Sequence, residues 1–221
     1  MTGQPRTRVW DLPTRLFHWA LAALVVFSVV TAEVGGNWID WHMRSGYAVL
    51  ALLLFRIVWG FAGARYARFA AFVRGPRAVA DYVRRLRAGD ATPHPGHNPL
   101  GALSVLAMLA VLLVQAGSGL FANDAIASEG PLAKFVSGAT SDFATRIHKL
   151  NQYPLFALIA LHVAAVAYYH FAKRENLVLP MLTGDKPGRV GEPAADDLAL
   201  HLRAVALLAL AAGAVAFLVT R

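Results

Sequence analysis

Five long apolar runs, separated by polar and basic segments, set the pattern of the chain. Each run holds about 20 residues, which is the length an α-helix needs to cross the hydrocarbon core of a bilayer. The pattern therefore predicts an all-α integral membrane protein. The predicted spans are residues 15–34, 42–61, 100–121, 146–171 and 198–219.

An amphipathic segment lies between the second and third runs. Its apolar side chains recur at i, i+3, i+4 and i+7, with arginines at other positions. This spacing predicts a helix over residues 76–88 that lies in the membrane interface on anionic lipid. A solvated amphipathic helix on the protein surface is the alternative. Helix-breaking Pro and Gly residues then fill residues 92–99. The apolar positions are Val79, Tyr82, Val83 and Leu86.

The composition agrees with a single membrane domain over residues 1–221. Hydrophobic residues make up 57% of the chain and charged residues 15%, which leaves too little polar surface for a soluble domain of this size. The chain has no cysteine. Disulfides, thiolate metal sites, iron–sulfur clusters and a covalently attached c-type haem are therefore excluded.

The net charge of +8 indicates a membrane orientation rather than nucleic-acid binding, because the basic residues cluster beside the spans. Loops rich in Lys and Arg face the cytoplasm. The N-terminus is then cytoplasmic and the C-terminus is periplasmic. Residues 33–41 and 123–145 face outward, and the only basic residues counted on that side are Lys134 and Arg146. The residues counted as cytoplasmic are Arg6, Arg8, Arg15, Arg65, Arg68, Arg74, Arg77, Arg84, Arg85, Arg87, Lys173, Arg174, Lys186 and Arg189.

Four histidines lie in or at the ends of the spans. His148 and His162 are 14 residues apart on the fourth span, which separates them by about 21 Å along a helix and leaves them on nearly the same face. Sorted by membrane depth, His42 pairs with His148 near the outer side. His18 pairs with His162 near the cytoplasmic side.

Two histidines at each depth suit haem better than a bare metal ion. Zinc or copper needs three or four protein ligands, whereas haem iron needs only two axial ligands. The spacing therefore predicts a four-helix bundle that holds two non-covalent haem b groups, with a fifth C-terminal span. The alternative for any one histidine is an interhelical hydrogen bond or a proton relay.

Cations near these histidines suit the haem propionates. Arg56 follows His42 by 14 residues, which places an intramembrane charge at the inner depth. Arg15 precedes His18 by three residues, and Arg44 lies beside the outer ligands. Gly46 leaves room for a porphyrin ring, and Gly60 recurs at the same 14-residue spacing.

The other histidines carry weaker hypotheses. His94 and His97 lie in the helix-breaking run and are interpreted as solvated. His170 is interfacial or lines a quinone pocket, and His201 has no partner at its depth and is interpreted as interfacial.

Three motifs resemble the prokaryotic cytochrome b-561 family. The opening VWDLPTRLFHW, residues 9–19, is similar to the b-type cytochrome subunits of nickel–iron hydrogenases. The others are His42-x-x-x-Gly46 with Arg56 and His148-x13-His162. The resemblance implies that His18, His42, His148 and His162 are the axial haem ligands. It covers about residues 8–180 and carries no role onto the fifth span.

The resemblance also implies a function. A family member of the bacterial inner membrane carries electrons between the quinone pool and a periplasmic partner, either a c-type cytochrome or a hydrogenase-like protein. Whether it acts as a quinol or quinone oxidoreductase stays open, and a homodimer is a further hypothesis. Two rival functions remain: a superoxide:quinone oxidoreductase, and a haem-free transporter whose histidines relay protons.

Overall fold

The computed structural model describes residues 5–89, 94–125, 128–188 and 191–221. Most of these residues are helical, and two short strands are present. Thr92 and Pro93 of the helix-breaking run lie outside the described residues. So does Arg189, one of the basic residues assigned to the cytoplasmic side. The helices are α1 Leu12–Val34, α2 Ile39–Ala62, α3 Phe69–Phe72, α4 Pro76–Arg87, α5 Pro99–Gly119, α6 Gly138–Phe171, α7 Val178–Thr183 and α8 Leu198–Val219, and the strands are β1 Arg6–Arg8 and β2 Asp185–Pro187.

Five of the described helices are long and apolar enough to cross a membrane: α1, α2, α5, α6 and α8. They occupy the positions of the five predicted spans, so the prediction of an all-α membrane fold is confirmed. The fourth helix differs most from its expected bounds, because it begins at Gly138 rather than near residue 146. Its extra turns carry the polar sequence that was expected to form a loop.

The chain divides into two compact units, and the boundaries between them fall inside long helices. The prediction of one membrane domain over residues 1–221 stays a prediction. The first unit is Met1–Leu16, Val58–Ala107 and Ala160–Ala204, and the second is Phe17–Ile57, Met108–Ile159 and Val205–Arg221.

A buried aspartate starts α1 in the first unit. One carboxylate oxygen of Asp11 accepts the Thr14 backbone N–H at 2.8 Å, and the other accepts the Thr14 hydroxyl at 2.9 Å. Asp11 is therefore the N-cap of α1, and its carboxylate binds a backbone N–H that has no partner within the helix. The Thr14 hydroxyl in turn accepts the Trp59 indole N–H at 3.1 Å. Burial raises the pKa of Asp11, although the hydrogen bonds from Thr14 oppose this shift.

A two-stranded ribbon joins distant parts of the first unit. Strands β1 and β2 pair antiparallel, with Thr7 opposite Lys186. Beside the ribbon, Asp196 accepts the Leu12 backbone N–H at 2.8 Å and forms ion pairs with Arg8 and, at 3.8 Å, with Arg15. Burial raises the pKa of Asp196, but hydrogen bonds from Leu12, His201 and Arg8 outweigh it and hold that pKa below its usual range.

Helix α4 is attached to the first unit through Tyr82, which is buried. The Tyr82 hydroxyl is 2.7 Å from the Tyr169 hydroxyl, which also accepts the Asn98 amide at 2.8 Å. Every arginine of α4 is exposed. The helix forms where the spacing predicted it, with one apolar face on the protein. Its placement on anionic lipid stays a prediction.

The second unit has its apolar core between three of the long helices. Leu50 and Ala51 of α2 pack with Leu120, which directly follows α5, and with Val215 of α8. All four side chains are buried. The fifth predicted span therefore contributes to the same core as α2 and the end of α5.

Candidate functional site

Two imidazoles lie close together inside the second unit. His42 lies in the first turns of α2, and His148 lies in α6. Their ring centroids are 5.9 Å apart and their planes cross at 85°. The structure therefore brings together the two histidines that were predicted to share the outer depth.

Helix α1 holds the His42 ring. Its Nδ1 is 2.9 Å from the Ser28 carbonyl oxygen of α1. The hydroxyls of Ser28 and Ser45 are 2.5 Å apart, and the Ser45 hydroxyl also donates to the His42 carbonyl at 2.8 Å. This local network fixes both the ring and the backbone of His42 against α1.

Helix α5 holds the His148 ring in the same manner. Its Nδ1 is 2.9 Å from the Gln115 carbonyl oxygen, and the Gln115 side-chain amide donates to the His148 carbonyl at 3.0 Å. Gly119 makes this approach possible: a Cβ built there would lie 3.0 Å from Cε1 of His148. The second unit thus assembles the pair with α1, α2, α5 and α6.

The partner atoms determine the tautomer of both rings. A carbonyl oxygen only accepts hydrogen bonds, so each Nδ1 must carry the proton. Each Nε2 then carries a lone pair, which is the form of histidine that ligates a metal; at His148 the Nε2 of the Gln115 side chain lies 3.3 Å from this atom. Backbone carbonyls are common second partners of such ligands because they orient the ring.

The predicted cationic residues lie in different surroundings. Arg56 is 3% exposed, whereas Arg44 is exposed and stacks over the Trp41 ring at 5.3 Å. Arg15 belongs to the first unit, where it donates to the Leu182 carbonyl at 2.6 Å and lies 3.8 Å from Asp196. Arg15 is therefore already engaged by protein groups on one side.

The two predicted glycines differ. A Cβ built on Gly46 would meet no heavy atom of the described residues within 4 Å, so that face of α2 is open. A Cβ on Gly60 would lie 2.0 Å from the Phe69 ring. Gly60 therefore makes room for Phe69 rather than for a porphyrin.

His18 and His162 are half-buried. His18 belongs to the second unit and makes an edge contact with Trp19, with ring centroids 4.9 Å apart. His162 belongs to the first unit, on α6. The pairing of these two histidines stays a prediction.

The interpretation of His94 and His97 as solvated side chains is wrong. His97 lies between Trp10 and Phe72, with 4.8 Å between ring centroids on each side, and His94 packs edge-on against Tyr82. Both imidazoles therefore pack against aromatic side chains, and both are half-buried.

Two further histidines have local partners. The His201 Nε2 lies 2.8 Å from a carboxylate oxygen of Asp196. His170 is exposed at the end of α6, where it lines an open cavity of about 420 Å³ with Phe171, Arg174 and Asn176.

Sequence reasoning missed Gln115 and Ser28, which position the facing histidines. A polar residue inside a long apolar run was the available signal, because such a residue seeks a partner on another helix. Within the described ranges, no group of three or more His, Asp or Glu side chains is arranged to hold a metal ion. The described site is therefore a pair of imidazoles.

Five membrane-length helices and a close pair of imidazoles characterise a multi-pass membrane protein. The chain belongs to the prokaryotic cytochrome b561 family, whose model matches residues 9–184. It is a b-type cytochrome family, so membership implies haem b and electron transfer in the membrane.

Curated relatives are distant but cover most of the chain. Three are named probable Ni/Fe-hydrogenase B-type cytochrome subunit. The protein from Azotobacter vinelandii is 26% identical over 82% of this chain and 91% of its own length. The one from Azotobacter chroococcum mcd 1 is 25% identical with the same coverage, and the one from Bradyrhizobium diazoefficiens is 20% identical over 85% and 88%. No solved structure matches the chain significantly.

Proposed function

We propose that this protein is a di-haem b-type cytochrome that carries electrons across the bacterial inner membrane between quinone and a redox partner on the outer side. The 5.9 Å separation between the ring centroids of His42 and His148 is the observation that carries the proposal. The proposed sites are an outer haem at this pair and an inner haem at His18 and His162.

The outer pair fits a haem iron. Two imidazoles on opposite sides of one iron, each with a metal–nitrogen bond of about 2 Å, place their ring centroids about 6 Å apart. The observed distance is 5.9 Å. Both Nδ1 atoms are held by carbonyl oxygens, which leaves Nε2 of each ring as the ligating atom. The open face at Gly46 supports the same placement.

The inner pair rests on sequence spacing and charge. His162 follows His148 by 14 residues on one continuous helix. Arg56 is nearly fully buried within an apolar span and follows His42 by 14 residues, which places it at the depth proposed for the inner haem. Arg56 is therefore the first candidate for a contact with a propionate of that haem. Arg44 and Arg15 are the further candidates for propionate contacts.

When bound, haem supplies a one-electron carrier, and the chain determines where that carrier sits. The Ser28 and Gln115 carbonyls keep the Nδ1 protons in place, so neither imidazole changes tautomer during electron transfer. Neutral partners on both rings also avoid a buried carboxylate, which would require its own compensation in the bilayer. The protein therefore contributes orientation and a water-poor surrounding.

The names of the relatives support a hydrogenase as partner; a c-type cytochrome is the other candidate. Asp124, Glu129 and Asp142 are exposed in the proposed outer region. A partner with a lysine-rich face would suit these carboxylates and gain association rate from them.

A redox-difference spectrum with a haem count tests the proposal. We expect two haem b groups per chain. His42→Ala and His148→Ala should remove one and the same haem, and His18→Ala and His162→Ala the other. His170→Ala, at the end of the same helix, is the control and should retain both. A colourless but folded preparation would favour the haem-free transporter, and loss of mixed pairs would refute the assignment by depth.

A further inference from the structure

The side-chain amide of Gln115 is fixed at both ends within the second unit. Its Oε1 accepts the Asn151 amide at 2.8 Å, and its Nε2 donates to the His148 carbonyl at 3.0 Å. Asn151 is itself held, because it also donates to the Val111 carbonyl at 2.9 Å. One orientation of the Gln115 amide satisfies all of these bonds.

This orientation directs the positive end of the amide dipole toward the imidazole. The Gln115 Nε2 lies 3.3 Å from the Nε2 of His148, the atom assigned to iron under the proposed function. The negative end, Oε1, points to Asn151. A fixed dipole in a low-dielectric interior acts more strongly than one in water.

We propose that Gln115 and Asn151 are positioning residues that raise the redox potential of the haem bound by His42 and His148. This inference rests on the proposed function. Gln115 acts through its amide dipole and through its hold on the His148 backbone, and Asn151 acts through Gln115. The partial positive charge disfavours the oxidised centre, which carries one more positive charge than the reduced one.

Outer-shell groups of this kind change the properties of a metal centre without ligating it. Gln115→Met keeps an unbranched side chain of similar length and deletes the dipole. Asn151→Leu keeps the branched shape of the side chain and releases the Oε1 of Gln115. Gly117→Ala is the control on α5, because a Cβ at Gly117 would meet no described heavy atom within 4 Å.

The test is a potentiometric titration of each variant, with the haem count and the low-spin ferric EPR signal recorded alongside. In Gln115→Met we expect two haems and an outer haem about tenfold less reduced at a given ambient potential, a decrease of about 59 mV for a one-electron couple. Asn151→Leu should shift the potential in the same direction by less. The double variant should match Gln115→Met, because the two effects are coupled. Gly117→Ala should titrate like the unmodified protein.

The outcomes separate the inference from the proposed function. If His148→Ala retains two haems, the assignment of the outer haem fails first. If the haem assignment holds but Gln115→Met titrates like Gly117→Ala, the inference is overturned. If Gln115→Met loses the outer haem altogether, Asn151→Leu decides: a lowered potential supports the inference, and an unchanged one overturns it.

Discussion

Gly119→Ala should weaken the binding of the proposed outer haem while leaving the protein folded. A methyl group at this position would lie 3.0 Å from Cε1 and 3.1 Å from Nδ1 of His148, which is closer than the ordinary contact range of 3.4–4 Å. The ring must then move by a few tenths of an ångström. That movement stretches its 2.9 Å bond to the Gln115 carbonyl toward the limit of a good hydrogen bond.

The two effects on stability oppose each other. Weakening the buried hydrogen bond costs about 1 kcal/mol, and replacing glycine by alanine in a helix returns about 1 kcal/mol. The free energy of unfolding should therefore change little. Displacement of His148, the proposed axial ligand, should have a larger effect on haem binding, since loss of an orienting contact lowers metal affinity by roughly 10- to 100-fold.

Gly117→Ala is the matched control, because a Cβ at Gly117 would meet no described heavy atom within 4 Å. Haem occupancy of both variants would be measured by the pyridine haemochrome method after dilution, with thermal unfolding recorded in parallel. Gly119→Ala should lose the outer haem selectively at an almost unchanged melting temperature. Equal occupancy in the two variants would refute the packing argument.

Two further predictions concern the first unit. The lowered pKa of Asp196 means that its stabilisation is complete above about pH 4 and is lost as the pH falls through the lower folded value. Asp196→Asn should therefore lower the free energy of unfolding at neutral pH by about 2 kcal/mol and flatten the acid limb of the thermal unfolding profile; an unchanged limb would contradict this. Tyr82→Phe deletes the bond to Tyr169 at a cost of about 1 kcal/mol, and should speed tryptic cleavage after Arg84 and Arg87, whereas an equal rate would show that α4 is held otherwise.

The long helices were predictable because a bilayer imposes one strong rule on the sequence: every span must be apolar and about 20 residues long. The rule says nothing about polar continuations of a helix. Residues 138–145 extend α6 beyond its apolar part, where a helix of polar residues has no hydrophobic pattern to reveal it.

The facing histidines were predictable in part. Depth and spacing placed His42 and His148 together. The polar side chains of Ser28 and Gln115 marked their positions inside apolar runs, but the backbone carbonyls that orient the rings leave no mark in a sequence. The location of His97 between two aromatic rings depends on contacts with Trp10 and Phe72, which lie far away along the chain. Such contacts have no local pattern.

The ribbon of β1 and β2 has a consequence for synthesis of the chain. Arg8 and Asp185, which lie opposite each other in the ribbon, are separated by 177 positions. At about 5–20 residues per second, the N-terminal strand waits about 10 to 35 s before its partner exists. By then the four long helices α1, α2, α5 and α6 have already been made, so β1 stays unpaired throughout their synthesis. Closure of this ribbon thus follows the synthesis of all four of these helices.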